Sequence, residues 1–195
     1  MTLRSGLFMA MAVALVLAAC ASPPPPARLV HLPSALPAGV VLPQPAPRGR
    51  WQLMLPLRLP DYLDRDALLL PQGQAGLVPL PGWRWAEPLR ESVPRVLRED
   101  LAAWLGADAV WASPLPPGVV VQRQLRVELL AFEASADQRQ VLLQARWTLA
   151  DPQGAAPAQA HSATLRAEVA GTDGDALAAA HRRALWLLAE QIARR

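Results

Sequence analysis

The side chains that could do chemistry are few and scattered. His31, His161 and His181 lie far apart in sequence. None belongs to a spacing such as HExxH, which sets two imidazoles on one helix face for a metal. Every basic side chain is Arg and none is Lys, so there is no amine for a Schiff base and no phosphate-binding lysine for a nucleotide loop. No G-x-S-x-G elbow is present, and neither Gly73–Gly76 nor Gly171–Gly174 completes a phosphate-binding turn. The densest carboxylate cluster is Asp61, Asp64 and Asp66. It lacks the D-x-D-x-D-G order of a calcium loop, and these acids read better as loop caps or as partners for Arg58 and Arg65. No nucleophile and base can be paired, so the reading is a non-enzyme with no cofactor and no metal. The single thiol, Cys20, is the reactive group that remains.

The neighbours of Cys20 say what its thiol is for. Met1–Gly6 carries one positive charge, Arg4, and no acid, and Leu7 to Leu17 is an unbroken apolar run. At about eleven residues it is too short for a bilayer core, which needs about twenty, and it suits the apolar stretch of a secretory signal. The run ends on Leu17-Ala18-Ala19-Cys20, which resembles the lipobox of bacterial lipoproteins. That resemblance implies removal of residues 1–19 and transfer of diacylglycerol and palmitate-type acyl chains to Cys20, and two or more chains make a stable anchor. Residue 21 is Ala rather than Asp, which in the lipobox reading implies the outer membrane, with the domain facing the periplasm.

About 176 residues remain after the signal, enough for one domain with a proper core and tight for two. With Cys20 acylated no disulfide forms within the chain, and an apolar core must hold it. The sequence pI of about 10.3 and net charge of +3 call for an acidic partner. An exported address argues against nucleic acid and for anionic lipid headgroups. Most Arg residues alternate with Glu or Gln and read as solvated faces.

From Pro23 to Pro47 roughly every third residue is Pro, which favours a semi-rigid polyproline II spacer. Residues 20–49 thus read as lipidated Cys and tether, with a possible short strand at Arg28–Leu32 and a surface loop over Pro33–Gly49. Residues 50–195 read as a single domain. Trp51, Leu53, Leu55, Leu57 and Leu59 alternate with other residues at the period of a half-buried strand, which Pro56 should place at a sheet edge or on a bulge. Ala67–Leu70 and Leu77–Leu80 flank a Gly-rich turn and predict a hairpin. Leu125 to Ala131, Val141 to Leu149 and Ala163 to Val169 alternate as three strands of an antiparallel meander with one wet face.

Two helices should cover the dry face. The first lies within Pro88–Leu105, with Leu89, Val93, Val96, Leu97, Leu101 and Trp104 on one stripe and Glu91, Arg95 and Glu99 paired opposite. Pro94 requires a kink, or a start at Ser92 as N-cap. The second runs from Asp173 to about Ala193, opened by a capping box at Thr172–Asp175. Leu177, Ala180, Ala184, Leu188 and Ile192 are its buried stripe, with His181 at the edge and Trp186 on the opposite, outer side. The fold class is α+β: an antiparallel-rich sheet with two long helices packed on one face.

Two segments resemble the signatures of the PqiC-type lipoproteins, auxiliary components of ABC-type and MCE-type transport systems associated with membrane integrity. Pro60-Asp61-Tyr62-Leu63-Asp64-Arg65 follows an apolar strand, and Arg84-Trp85-Ala86-Glu87-Pro88-Leu89 precedes the first helix. Arg95-Val96-Leu97, Leu101, Phe132, Leu143, Ala145 and Trp147 continue the match in order. Leu29-Val30-His31-Leu32-Pro33 stands where the family usually carries a Tyr-Tyr-x-Leu-Pro segment. The resemblance implies a non-catalytic docking part of a lipid transport system. Its partners would be the outer membrane, through the anchor, and a periplasm-spanning MCE protein with its inner-membrane transporter. Self-association is also implied. Asp61, Tyr62, Asp64, Arg65, Arg84, Trp85 and Glu87 are the candidate contact residues, because clustered Tyr, Trp and Arg dominate binding energy in interfaces. The competing readings are that both segments cap elements and pair internally, and that Tyr62, Trp83 and Trp85 are packing aromatics. A structural lipoprotein of outer-membrane or cell-wall assembly is a second function class, and a periplasmic hydrolase a third, disfavoured because no nucleophile and base can be paired.

Overall fold

The computed structural model describes residues 26–46 and 48–195; the signal segment and Cys20 lie outside them. In chain order the elements are β1 (Arg28–Val30), β2 (Trp51–Leu53), a 3-10 turn (Asp61–Leu63), β3 (Ala67–Gln72), β4 (Gly76–Trp85) and α1 (Leu89–Leu105). Then come β5 (Val110–Ala112), β6 (Arg123–Ala134), β7 (Gln140–Ala150), β8 (Gln159–Glu168) and α2 (Gly174–Ala193). The fold is α+β, but its strands form two sheets, and both are mixed rather than purely antiparallel. The larger has the order β5-β2-β6-β7-β8 and the smaller β1-β4-β3.

The meander is the part that local pattern dictates. β6, β7 and β8 are antiparallel neighbours, and alternation puts Leu125, Val127, Leu129, Val141, Leu143, Ala145 and Trp147 into the core. A bulge between Leu129 and Ala131 adds one residue to β6. It leaves Leu130 exposed and shifts the inward phase to Phe132 and Ala134, both buried, because a bulge sets two residues against one on the partner strand. The outer face stays wet, with Arg146 donating to Glu128 at 2.6 Å.

β2 departs from the expected long edge strand. It has three paired residues and lies inside the sheet, parallel to both β5 and β6. Pro56 falls beyond the paired stretch, where the missing N–H interrupts no ladder. The chain still follows β6, because Arg58 bridges Glu128 and its carbonyl accepts from the Leu129 amide at 2.9 Å. β1 and β4 likewise pair in parallel.

α1 runs from Leu89 without interruption, with Pro88 rather than Ser92 at the N-cap position and no side-chain cap. Ser92 is buried inside the helix and its Oγ donates to the Pro88 carbonyl. Pro94 therefore sits in the body of the helix and withholds an amide from the carbonyl of Arg90, an exposed position. α2 is capped by Asp173, whose carboxylate accepts from the Ala176 amide at 2.9 Å; Thr172 is not the cap.

The expected stripe of α2 is buried, but so is its supposed outer side, since Leu185, Trp186 and Ala189 are each 3% exposed or less. Trp186 packs on Trp104 of α1 with ring centroids 5.5 Å apart. The helix touches α1 laterally as well as β7 and β8 below, so two of its sides are covered. Trp186 is not available as an outer docking face.

Residues 31–46 have no regular structure, yet they are fastened to the helices as a strap. Leu32 is fully buried. Arg95 of α1 donates to the Leu32 carbonyl and to Ser34 Oγ. Arg182 of α2 donates through Nε to the carbonyls of Pro33 (2.8 Å) and Ala35 (3.2 Å). At the far end the Ala46 amide meets the Trp104 carbonyl at 3.0 Å.

Candidate functional site

The two signature segments, separated by residues 66–83, meet at one corner of the fold. β3 and β4 pair so that Ala67 stands opposite Arg84. The Trp85 amide then donates to the Asp66 carbonyl at 2.6 Å, and the Ala86 amide to the Val30 carbonyl at 2.7 Å. The 3-10 turn Asp61–Leu63 is closed by the Leu63 amide on the Pro60 carbonyl, and its Leu63 side chain is buried. The result is a clasp joining the smaller sheet to the start of α1.

Most of the candidate contact residues are used inside this clasp. Asp66 pairs with Arg84 at 2.6 Å, Asp64 with Arg90, and Glu87 with Arg95. The acids' partners are thus Arg84 and Arg90 rather than Arg58 and Arg65. The first two pairs are well exposed and contribute about 0–1 kcal/mol each. Trp85 is buried and meets the ring of His181 edge-on at 5.4 Å. Trp83 lies so flat on the first turn of α2 that a methyl group on Gly174 would fall 2.4 Å from its ring; both tryptophans are packing residues.

Tyr62 is half-buried against the core. Its phenol is pushed up to about 12, first by burial and then by the Glu133 carboxylate beside it, so it stays protonated at any physiological pH. Asp61 and Arg65 remain exposed, and neither makes a salt bridge among the described residues. Behind them opens a groove of about 990 Å3 lined by Pro26, Ala27, Tyr62, Arg65, Leu69, Leu77, Pro79 and Trp83 and by the Asp66–Arg84 ion pair. His181 is fully enclosed, with Nδ1 2.8 Å from the Leu177 carbonyl, and burial pushes its pKa down to about 4. It is a neutral core residue.

The most constrained polar pair in the fold escaped sequence reasoning. Asp100 of α1 and Arg182 of α2 form a two-pronged ion pair at 2.8 and 2.6 Å, each about 1% exposed. The signal was available: Asp100 falls between Leu97 and Leu101 on the apolar stripe of α1, where an acid needs a buried cation. Among the described residues no group of His, Cys, Asp and Glu could hold a metal ion, and no helix is long and apolar enough to cross a membrane.

No curated protein sequence matches the chain. Among solved structures, one of an uncharacterised protein shares 19% identity at a TM-score of 0.69, covering 87% of this chain and 98% of the other. Protein XCC0632 from Xanthomonas campestris shares 17% identity at a TM-score of 0.65, covering 85% and 92%. At these identities the likeness is one of fold. The family model of the ABC-type transport auxiliary lipoprotein component matches residues 32–193, from the strap to the last helical residue, and the chain belongs to that family.

Proposed function

We propose that the protein is an outer-membrane lipoprotein, anchored through Cys20, that docks a periplasm-spanning MCE protein of an ABC-type lipid transport system without catalysing a reaction. The observation that carries this reading is the clasp. It brings both signature segments to one corner, holds the loop in place through Tyr62 and Leu63, and leaves Asp61 and Arg65 exposed with no ion-pair partner among the described residues. An immobilised loop with unpaired charges of both signs suits recognition of a complementary surface, because little ordering is left to do on binding.

Capture of the MCE protein by the mature lipoprotein tests it. Asp61→Arg or Arg65→Glu should weaken capture about ten-fold, the scale of a lost charge pair at about 1.4 kcal/mol, and leave the melting temperature unchanged. Capture of cell-wall or outer-membrane assembly proteins instead would assign the structural role. The anchor has its own test. Cys20→Ala should take up no labelled fatty acid and leave the protein unprocessed or free in the periplasm. Label retained in that variant would remove Cys20 as the acceptor.

A further inference from the structure

The face of the larger sheet turned away from the core holds a recess that runs across its strands. Two rows of outward side chains wall it. Arg126, Thr148 and Ala160 stand opposite one another on β6, β7 and β8 and form the first row; Glu128, Arg146 and Ser162 form the second. Arg58, bridged to Glu128 in the parallel sense, extends the second row beyond β6. Between the rows lies a cavity of about 360 Å3 that is bordered also by Val127, Trp147 and His161. The strand period turns those three side chains to the opposite face, so the floor between the rows is main chain.

The charge of this recess does not balance. Arg58, Arg126 and Arg146 line it, and Glu128 is the one acid among the lining residues. Arg146 spends only its Nε on Glu128, at 2.6 Å, and its two Nη groups donate to no acceptor among the described residues. Arg58 and Arg126 are exposed and form no ion pair among the described residues. A cleft lined by one sign of charge concentrates the opposite ion, and Thr148 and Ser162 add hydroxyl groups to the same walls. The donors face the cavity from both sides. A carboxylate offers two oxygens at one edge of a plane and suits a single guanidinium fork, whereas a phosphoryl group offers oxygens in several directions and accepts from both walls at once.

We propose that this recess binds the phosphoryl group of a phosphate ester, Arg126 closing on its oxygens from one wall and Arg58 and Arg146 from the other. Neither the anchor nor the docking corner enters the assignment, since none of these residues belongs to either. A soluble phosphomonoester and the phosphodiester of a lipid headgroup share this chemistry, and the test separates them. The lipidated mature protein, in micelles of an uncharged detergent, is titrated calorimetrically with glycerol phosphate, with glycerophosphoglycerol (the water-soluble diester of the phosphatidylglycerol headgroup) and with succinate. Both esters should bind, and succinate about ten-fold more weakly or not at all. Tighter binding of the diester would identify a lipid headgroup as the ligand, and tighter binding of the monoester a soluble phosphate. Arg58→Gln and Arg126→Gln should each weaken ester binding about ten-fold. Arg139→Gln removes the same charge from the turn between β6 and β7 and should leave binding unchanged. All three positions are exposed, so the melting temperature should not move. No binding of either ester, succinate bound as tightly as the esters, or an equal loss in Arg139→Gln would overturn the assignment.

Discussion

Arg182→Met should destabilise the protein by about 3–5 kcal/mol, because it leaves the carboxylate of Asp100 buried without its cation. Replacing both members, Asp100→Leu with Arg182→Met, should restore much of the loss, since well-packed apolar residues often match a buried ion pair. The loss should also depend on pH in a predictable direction. Burial pushes the Asp100 carboxyl up to about 6, against the opposing pull of Arg182. A carboxyl raised in the folded state binds a proton more readily there than in the unfolded chain, so its contribution is full at low pH and is lost as pH rises through the folded value. Without Arg182 the folded value rises further. The penalty of Arg182→Met should therefore be smaller at pH 5 than at pH 8. His181 acts in the opposite sense, its depressed pKa withdrawing stability as pH falls from the usual histidine range toward about 4. It does so in parent and variant alike and drops out of the difference. Urea titrations of both proteins at the two pH values decide the matter; a penalty independent of pH would show that the carboxylate is solvated in the variant.

Trp147→Ala should cost about 3–5 kcal/mol, the range for removing a large aromatic from a packed core. Trp147 is 2% exposed at the middle of β7, between Val127 and His161 of the adjacent strands, and its ring overlaps that of His161 at 5.6 Å. The shape of the side chain matters more than its polar atom. Trp147 Nε1 and His161 Nε2 both lack hydrogen-bond partners among the described residues, and a buried donor without an acceptor costs about 1–3 kcal/mol. Trp147→Phe gives up volume but removes that donor, so it should cost clearly less than the alanine change. Equal losses for the two, read from denaturant unfolding, would mean that the indole N–H is satisfied after all.

These two sites show what local pattern conveys. Trp147 was legible because alternation over Val141, Leu143, Ala145, Trp147 and Leu149 leaves one choice of face, and a slip of one residue would put Arg146 and Gln144 inside. The stripes of both helices were legible for the same reason. What escaped depends on partners distant in the chain. β5 spans three residues, Val110–Ala112, too few for a period to register. The parallel pairings of β1 and β2 join segments with no shared turn. Trp186 looked external because a single stripe assumes a single neighbour, and α2 has more than one. Of the candidate site, sequence identified both segments but not their juxtaposition, which follows from the pairing of β3 with β4. Nor did it indicate that Asp64, Arg84, Trp85 and Glu87 are engaged within the clasp.

The strap bears on the order in which the protein can be completed. Arg182 grips Pro33 and Ala35 across 149 and 147 residues of sequence, and the contact joins the segment after β1 to the last helix. Contacts of such separation form late in folding, after the intervening loop entropy has been overcome. A chain that emerges N-terminus first therefore exposes the strap and the apolar side of α1 before α2 arrives to receive them. During that interval the chain depends on whatever accompanies it, and a truncation anywhere ahead of residue 182 leaves a protein that cannot close.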